Sequence, residues 1–249
     1  MIAFLMGMFF STQAADHVKG NGKLSTKKIT IDDFNAIKFD GVIDFNYEQS
    51  ESTPHIEITV DENLHPYVNI DIQDRVLTVG FKGAKVDHFT KFIVKTNSKW
   101  LKEVKASGNA NFIANSPLKG DELKINANSN CQKVEVGKLD LNVSGSANMV
   151  VNELKTDKLE CSINGSGTIN LKAGNAEEAD YSITTDGEIM AFGVAVPEVN
   201  CKITGKGSAQ IHPTDNLKAT IVGKGNIRYK GPTAVQQKVI GKGTVEEVK

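Results

Sequence analysis

The chain has 249 residues and a nearly balanced charge, with 29 Lys and Arg against 30 Asp and Glu. The basic residues are almost all lysine, since Arg75 and Arg228 are the only arginines. Because the overall field is weak and arginine is the usual fork for phosphates and bases, this composition argues against a nucleic-acid-binding protein.

The N-terminus begins with ten uncharged, apolar residues, 1–10, followed by the short run 11–15 and then Asp16. This run is too short to cross a bilayer as a helix, but it suits the hydrophobic region of a secretory signal, with the small residues Thr12 and Ala14 at the cleavage site. We predict a signal peptide over residues 1–15, an N-terminal extension over residues 16–26 and no membrane span in the mature chain. The alternative for the first run is a buried N-terminal strand.

Between residues 27 and 100 several segments alternate apolar and polar residues, as in Ile56–Val60 and Val68–Ile72. This period of two is typical of strands that bury one face. The sequence Gln73–Arg75 predicts a turn between two paired strands. No segment shows helical periodicity. No Pro/Ser-rich linker separates this part from the rest, so we predict a single domain over residues 27–249.

A glycine-rich unit repeats through the second half of the chain, where 16 of the 22 glycines follow residue 100. Successive copies contain sequences such as Val-Ser-Gly-Ser-Ala, Ile-Asn-Gly-Ser-Gly and Ile-Thr-Gly-Lys-Gly, at intervals of 16 to 21 residues. We assign their common position to Gly108, Ser129, Gly145, Gly165, Thr185, Gly205, Gly223 and Gly241.

A unit of this length holds two or three short strands and can bury its inner face only against neighbouring units. The sequence therefore predicts an all-β fold, a parallel right-handed β-helix (β-solenoid) with coils of about 18–20 residues. A propeller is excluded, because each of its blades needs about 40 residues. The paired glycines are expected on the inner side of a bend, with the residue between them pointing outward.

The chain has three cysteines, Cys131, Cys161 and Cys201, without C-x-x-C spacing. This pattern excludes a zinc knuckle and a dense disulfide scaffold. In the predicted solenoid Cys161 and Cys201 occupy the same inward position two coils apart. Two strand spacings give about 9–10 Å, which exceeds the roughly 7 Å between Cα atoms that a disulfide allows. We therefore predict buried, free thiols.

Three features together are similar to a known bacterial family: the segment Phe34–Phe45, the strand pair that ends in Arg75–Val79, and the later Ser-Gly-Ser-Ala and Asn-Gly-Ser-Gly repeats. Over residues 27–249 the chain resembles the autotransporter-adhesin head domain called the GIN domain, a family of unknown function. The resemblance implies a β-helical fold and an exported bacterial protein, and it brings no catalytic residues.

Residues suited to catalysis or metal binding are sparse. An acidic cluster near one coil leaves open a calcium site, a catalytic site or a solvated corner; its members are Glu177, Glu178, Asp180, Asp186 and Glu188. The five histidines show no metal-ligand spacing, and no G-x-S-x-G elbow is present. Twelve of the sixteen aromatic residues lie in residues 1–100, so the repeats offer no aromatic platform for sugars. We predict no enzyme activity, no cofactor and no metal.

A column of lysines is the candidate binding site. The outward residue between the paired glycines is, in chain order, Asn109, Asn130, Ser146, Ser166, Asp186, Lys206, Lys224 and Lys242. Stacked like charges are unfavourable in a sheet, so an acidic glycan or an anionic surface bound to Lys206, Lys224 and Lys242 would justify them. The alternative is that the lysine side chains splay into solvent and keep the end of the solenoid soluble.

These observations predict an exported bacterial β-helix with a non-enzymatic binding or adhesion role at the cell envelope, whether periplasmic, on the outer surface or secreted. Its partner would be an envelope or extracellular ligand, a glycan or a protein, and not a nucleic acid. The alternative is a carbohydrate-binding or carbohydrate-active β-helix, of lyase or hydrolase type, which a cleft with converging carboxylates would favour. We expect a monomer protected by charge in its last coil, with end-to-end association through residues 234–249 as the alternative.

Overall fold

The computed structural model describes residues 16–248, of which strands form the great majority; over the chain 75% is strand and 3% is helix. The predicted signal peptide lies outside the described residues. The strands before residue 100 are β1 (Asp16–Lys19), β2 (Leu24–Thr30), β3 (Ala36–Gly41), β4 (Asp44–Gln49), β5 (His55–Asp61), β6 (Val68–Gln73), β7 (Val76–Phe81), β8 (Ala84–His88) and β9 (Ile93–Ser98).

The strands after residue 100 build the repeats, and several of them run through a corner without interruption. They are β10 (Glu103–Gly108), β11 (Asn111–Ala114), β12 (Leu118–Asn126), β13 (Asn128–Gly145), β14 (Asn148–Gly165), β15 (Thr168–Leu171), β16 (Gly174–Thr185), β17 (Glu188–Gly205), β18 (Ser208–Gly223), β19 (Asn226–Tyr229), β20 (Ala234–Gly241) and β21 (Thr244–Glu247).

All pairings among β10–β21 are parallel, and they stack equivalent residues of successive coils. One inward column, for example, contains Leu141, Cys161, Tyr181, Cys201 and Ala219, all buried. Residues on the inner side of each strand alternate with exposed ones, and burial of each large aliphatic side chain contributes about 1.5–3 kcal/mol. The predicted β-solenoid is confirmed, with about seven turns.

The N-terminal end differs from simple stacking, because spatial order does not follow chain order there. Strand β3 pairs in parallel with both β7 and β10, and β4 pairs in parallel with both β9 and β11. The coil formed by β3 and β4 is therefore covered by later residues on both sides. The antiparallel pairs β2–β5, β5–β9 and β6–β7 then close this end of the solenoid.

Several local features support this closed end. The turn predicted at Gln73–Arg75 joins β6 to β7, with Asp74 and Arg75 both at positive φ. A six-residue 3-10 helix, Glu62–Tyr67, follows β5 and was not predicted. The buried Asp61 carboxylate accepts hydrogen bonds from the Gly22 and Thr90 amides and from the Thr90 hydroxyl. Strand β1, within the predicted N-terminal extension, pairs with β8.

The paired glycines lie at the corner between two faces of the solenoid, as predicted. The first glycine of a pair has positive φ, for example 119° at Gly205. The second is buried against an isoleucine of the preceding coil: a Cβ on Gly207 would lie 2.5 Å from Cγ2 of Ile183. Glycine at both positions therefore permits the bend and close contact between coils.

The position predicted for Ser129 and Asn130 is wrong. Ser129 pairs with Phe112 and Met149, four residues beyond the corner, and Asn130 pairs with Ile113 and Val150. The reason is that this coil omits the corner: only Ala127 separates β12 from β13. The missing corner residues also explain why one interval is 16 residues. Asn130 therefore does not belong to the column that contains the lysines.

The three cysteines are free and buried. Tyr181 lies in register between Cys161 and Cys201, so these two cysteines are two coils apart. This arrangement confirms the prediction from coil counting. Within residues 16–248, no helix has the length and apolarity needed to cross a bilayer.

Candidate functional site

The predicted lysine column is present at the corner of the last coils. The amides of Lys206, Lys224 and Lys242 donate to carbonyl oxygens of the preceding coil, at 2.8–2.9 Å, which places the three residues directly above one another. Their side chains are exposed. Asp186 precedes them in the same column, because its backbone amide donates the equivalent hydrogen bond to the Gly165 carbonyl.

Three further lysines lie on the adjacent face of the same coils. Lys202 and Lys238 flank Thr220 in register, and Lys218 lies in the neighbouring column. All are exposed. We refer to Lys202, Lys206, Lys218, Lys224, Lys238 and Lys242 as the basic patch. The motif search missed half of it because these three residues lie outside the Gly-x-Gly corner; the register of β17, β18 and β20 brings them beside it.

The ion pairs of residues 16–248 all lie outside the basic patch. Every ion pair among the described residues lies between residues 17 and 178, such as the pair between Lys133 Nζ and Glu153 Oε1 at 2.8 Å. Two carboxylates, Glu135 and Glu153, raise the pKa of Lys133. No lysine of the basic patch has an acidic side chain within 4.0 Å among residues 16–248.

Charge is also segregated along the chain. Residues 173–200 contain six Asp and Glu and no Lys or Arg, whereas residues 201–248 contain eight Lys and Arg and three Asp and Glu. An acidic coil therefore borders a basic one. Since adjacent coils are about 4.8 Å apart, the boundary between the two signs of charge is sharp.

A groove of about 470 Å³ crosses this boundary. Its charged and amide lining residues are Glu178, Asp180, Glu198, Asn200, Asn216, Lys218 and Gln236. The Asn200 amide donates to Asp180 Oδ1 at 3.1 Å, and the Asn216 amide donates to Glu198 Oε1 at 2.7 Å. Lys158 pairs with Glu178 at 3.4 Å. The carboxylates are therefore already engaged by neighbouring coils.

The acidic cluster predicted from the sequence is not gathered into one site. Glu178 and Asp180 line the groove, Asp186 lies at the corner, and Glu188 lies on the next face in register with Ser208. Among residues 16–248, no group of three or more His, Cys, Asp or Glu side chains is arranged to hold a metal ion.

A second groove of similar volume, about 470 Å³, lies near the closed end and is lined by polar residues that include His55, Glu57, Lys95 and Asn97. The Asn97 side chain is already hydrogen bonded within the protein: its amide group donates to the Ser52 carbonyl, and its oxygen accepts from the backbone N–H of His55. Lys28 bonds to Glu57 at 2.9 Å and lowers the pKa of that carboxyl. These contacts tie loops and strands together.

A column of short polar side chains runs beside the corner, on the face that follows it. The backbone N–H of Asn148 donates to Asn128 Oδ1, Thr168 Oγ1 donates to Asn148 Oδ1 at 2.8 Å, and Thr244 Oγ1 donates to Asn226 Oδ1 at 3.1 Å. Because these groups bond to one another from coil to coil, they stabilise the stack.

Comparison with known proteins agrees with this architecture. The family described as "Putative auto-transporter adhesin, head GIN domain" matches residues 33–232. The chain belongs to this family. The resemblance seen in the sequence is thereby confirmed. A search of curated proteins found no match.

Three solved structures are similar over 94% of this chain and 100% of their own. A putative adhesin from Parabacteroides merdae is 98% identical, with a TM-score of 0.92. A putative adhesin from Parabacteroides distasonis is 70% identical, with a TM-score of 0.90. A protein of the same species, described as a putative lipid binding protein, is 33% identical, with a TM-score of 0.89.

Proposed function

We propose that this protein is a non-enzymatic binding module that acts by adhesion at the cell envelope. The GIN family description and the names of two close structural neighbours support an adhesin. The fold supports it as well, because a rigid solenoid presents stacked side chains on extended, regular faces. The apolar run at residues 1–10 supports export, to the periplasm, the outer surface or the medium.

The observation that carries this proposal is the basic patch. Six exposed lysines on adjacent coils repel one another. Among residues 16–248, no carboxylate lies within 4.0 Å of any of them to offset that repulsion. In the preceding coils some lysines face an acidic residue of the next coil in register, as Lys158 faces Glu178 at 3.4 Å. An anionic ligand would supply the missing counter-charge, with Lys206, Lys224 and Lys242 as its central contacts.

The alternative function is carbohydrate binding or cleavage, which the 470 Å³ groove with its carboxylates and amides favours. Such groups commonly bind sugar hydroxyls. Cleavage is less well supported by the geometry. Glu178 and Glu198 are neighbours in register on one face and project from the same wall, whereas a glycosidase needs two carboxyl groups that flank the scissile bond.

Binding of residues 16–249 to an array of glycans and purified envelope components tests the proposed function. We expect retention by anionic components that falls as salt rises, because screening shortens the range of lysine charges. A triple variant, Lys206→Gln/Lys224→Gln/Lys242→Gln, should lose this retention. Hydrolysis or elimination of any array glycan, abolished by Glu178→Gln or Glu198→Gln, would instead establish the carbohydrate-active alternative.

A further inference from the structure

Two aliphatic side chains lie within the basic patch and point outward. Val222 pairs in register with Ile240, and both lie between the corner column and the column that contains Lys202 and Lys238. Val222 is 39% exposed and Ile240 is 53% exposed. At the same position of the preceding coil, the residue is the polar Thr204.

This combination distinguishes among anionic ligands. A soluble polyanion would neutralise the lysines but would leave the two aliphatic side chains in water. A bilayer surface offers both phosphates for the lysines and an apolar layer just below them, so basic residues around exposed aliphatic groups favour the membrane interface.

We propose that the basic patch, with Val222 and Ile240 at its centre, docks the protein on an anionic lipid surface. The inference rests on the proposed function and specifies its partner: the lysines contact lipid phosphates, and the two aliphatic side chains enter the interface between them. Successive columns on a strand are about 7 Å apart and coils about 4.8 Å apart, so the patch covers an area comparable to a few lipid headgroups.

The neighbouring acidic coils would orient the docked protein. Asp186 precedes Lys206 in the corner column, and Glu198 and Asp180 lie on the face that carries Lys202 and Lys218. Repulsion by the lipid phosphates would keep this acidic region away from the surface. The last coils would then lie nearest the bilayer, and the solenoid would tilt so that its acidic coils are farther from it.

Co-sedimentation with vesicles tests the inference on residues 16–249, with phosphatidylcholine vesicles compared with mixed phosphatidylcholine and phosphatidylglycerol vesicles. We expect binding to the mixed vesicles alone. Each Lys→Gln change in the patch should weaken it about fivefold, and Lys206→Gln/Lys224→Gln/Lys242→Gln about a hundredfold. Val222→Thr/Ile240→Thr keeps strand propensity and should weaken binding to the mixed vesicles about tenfold.

Matched controls remove the same groups elsewhere. Lys27→Gln/Lys38→Gln/Lys82→Gln removes three exposed lysines outside the patch, and Val42→Thr removes a side chain that is 57% exposed at the same corner near the other end. Both should leave vesicle binding unchanged, and circular dichroism should show all variants folded.

Three outcomes would overturn the inference: no preference for the anionic vesicles, equal loss in the control variants, or unchanged binding in Val222→Thr/Ile240→Thr. In the last case a soluble polyanion, tested with polyphosphate, would be the ligand class. If the envelope array retains the protein but the vesicles do not, the lipid inference fails and the proposed binding function stands; if neither retains it, both fail.

Discussion

At the scale of single residues, Thr185 stands in a corner column that glycine occupies in the coils on either side, at Gly165 and Gly205. Its φ is 92°, a left-handed conformation that a β-branched side chain adopts only at a cost of about 1–3 kcal/mol. The Thr185 hydroxyl donates a 2.6 Å hydrogen bond to the Gly165 carbonyl, which offsets part of this cost.

We predict that Thr185→Gly raises the free energy of unfolding by about 1 kcal/mol, since relief of backbone strain exceeds the loss of one exposed hydrogen bond. Thr184→Gly is the matched control, because Thr184 is an exposed neighbour without positive φ. Glycine there should lower stability by about 0.5–1 kcal/mol. Urea unfolding followed by circular dichroism measures both, and a destabilised Thr185→Gly would show that the hydrogen bond dominates.

A second prediction concerns the buried glycine of a corner pair. In Gly207→Ala the new Cβ would lie 2.5 Å from Ile183 Cγ2 and 2.8 Å from the Gly187 carbonyl oxygen. Overpacking of this kind should lower the free energy of unfolding by about 1–3 kcal/mol. Gly120→Ala is the control, because nothing lies within 4 Å of its Cβ position. Equal urea midpoints for the two variants would contradict the close-packed corner.

At the scale of elements, the strand register sets the chemistry of the cysteines. Burial raises the pKa of Cys131 and Cys201 to about 12, from an ordinary value near 9, and also raises that of Cys161. The native protein therefore keeps these protons at a pH where the unfolded chain releases them. The unfolded state gains from deprotonation, so the thiols leave stability unchanged below pH 9 and reduce it as pH rises from 9 towards 12.

We expect each thiol to lower the free energy of unfolding by up to ~1.4 kcal/mol per pH unit in that window. Urea midpoints measured on either side of pH 9 would show the loss. In Cys131→Ala/Cys161→Ala/Cys201→Ala the free energy of unfolding should fall less steeply with pH above 9. This variant starts from a lower stability because three buried sulfurs are removed. Parallel loss in the two proteins would mean that other groups cause the alkaline destabilisation.

The repeated elements were predictable because a 20-residue period with alternating burial leaves few alternatives to stacked parallel strands. Two departures from this regular stacking, the omitted corner and the antiparallel closed end, were not predictable. Spacing alone could not distinguish a coil that omits its corner from one in which Ser129 replaces glycine. Alternation in β5 and β6 predicts strands but does not distinguish parallel from antiparallel pairing, which depends on contacts far away in the chain.

For the candidate site, the sequence motif correctly predicted that Lys206, Lys224 and Lys242 stack in one column, because each follows the first glycine of its Gly-x-Gly corner; their binding of a ligand stays a prediction. The other lysines of the basic patch and the pair Val222 and Ile240 belong to different columns. Their proximity depends on the register between β18 and β20, which a motif does not contain. Alignment of complete coils, rather than of glycines, would have found the wider patch.

At the scale of the whole molecule, the two ends of the described chain differ. The N-terminal end is closed by antiparallel strands and a 3-10 helix, whereas β20 and β21 pair within residues 16–248 only with the preceding coil. Val239 is 39% exposed, although the residue paired with it, Ile221, is fully buried. In a solenoid each coil is stabilised chiefly by its neighbours, so a coil with one interface opens more easily than one with two.

We therefore predict a gradient of hydrogen exchange along the solenoid. Amides of β20 and β21 should exchange fastest among the strands of the repeats, those of β13–β17 slowest, and those of β3 and β4 should resemble the slow group because later strands cover them on both sides. Mass spectrometry of peptic fragments gives these rates. Val245→Ala, in the last coil, should speed exchange only in its own coil, whereas Val143→Ala, buried between coils, should speed it over several. Uniform exchange along the repeats would show that the solenoid unfolds as one unit and that its last coil is not its weakest.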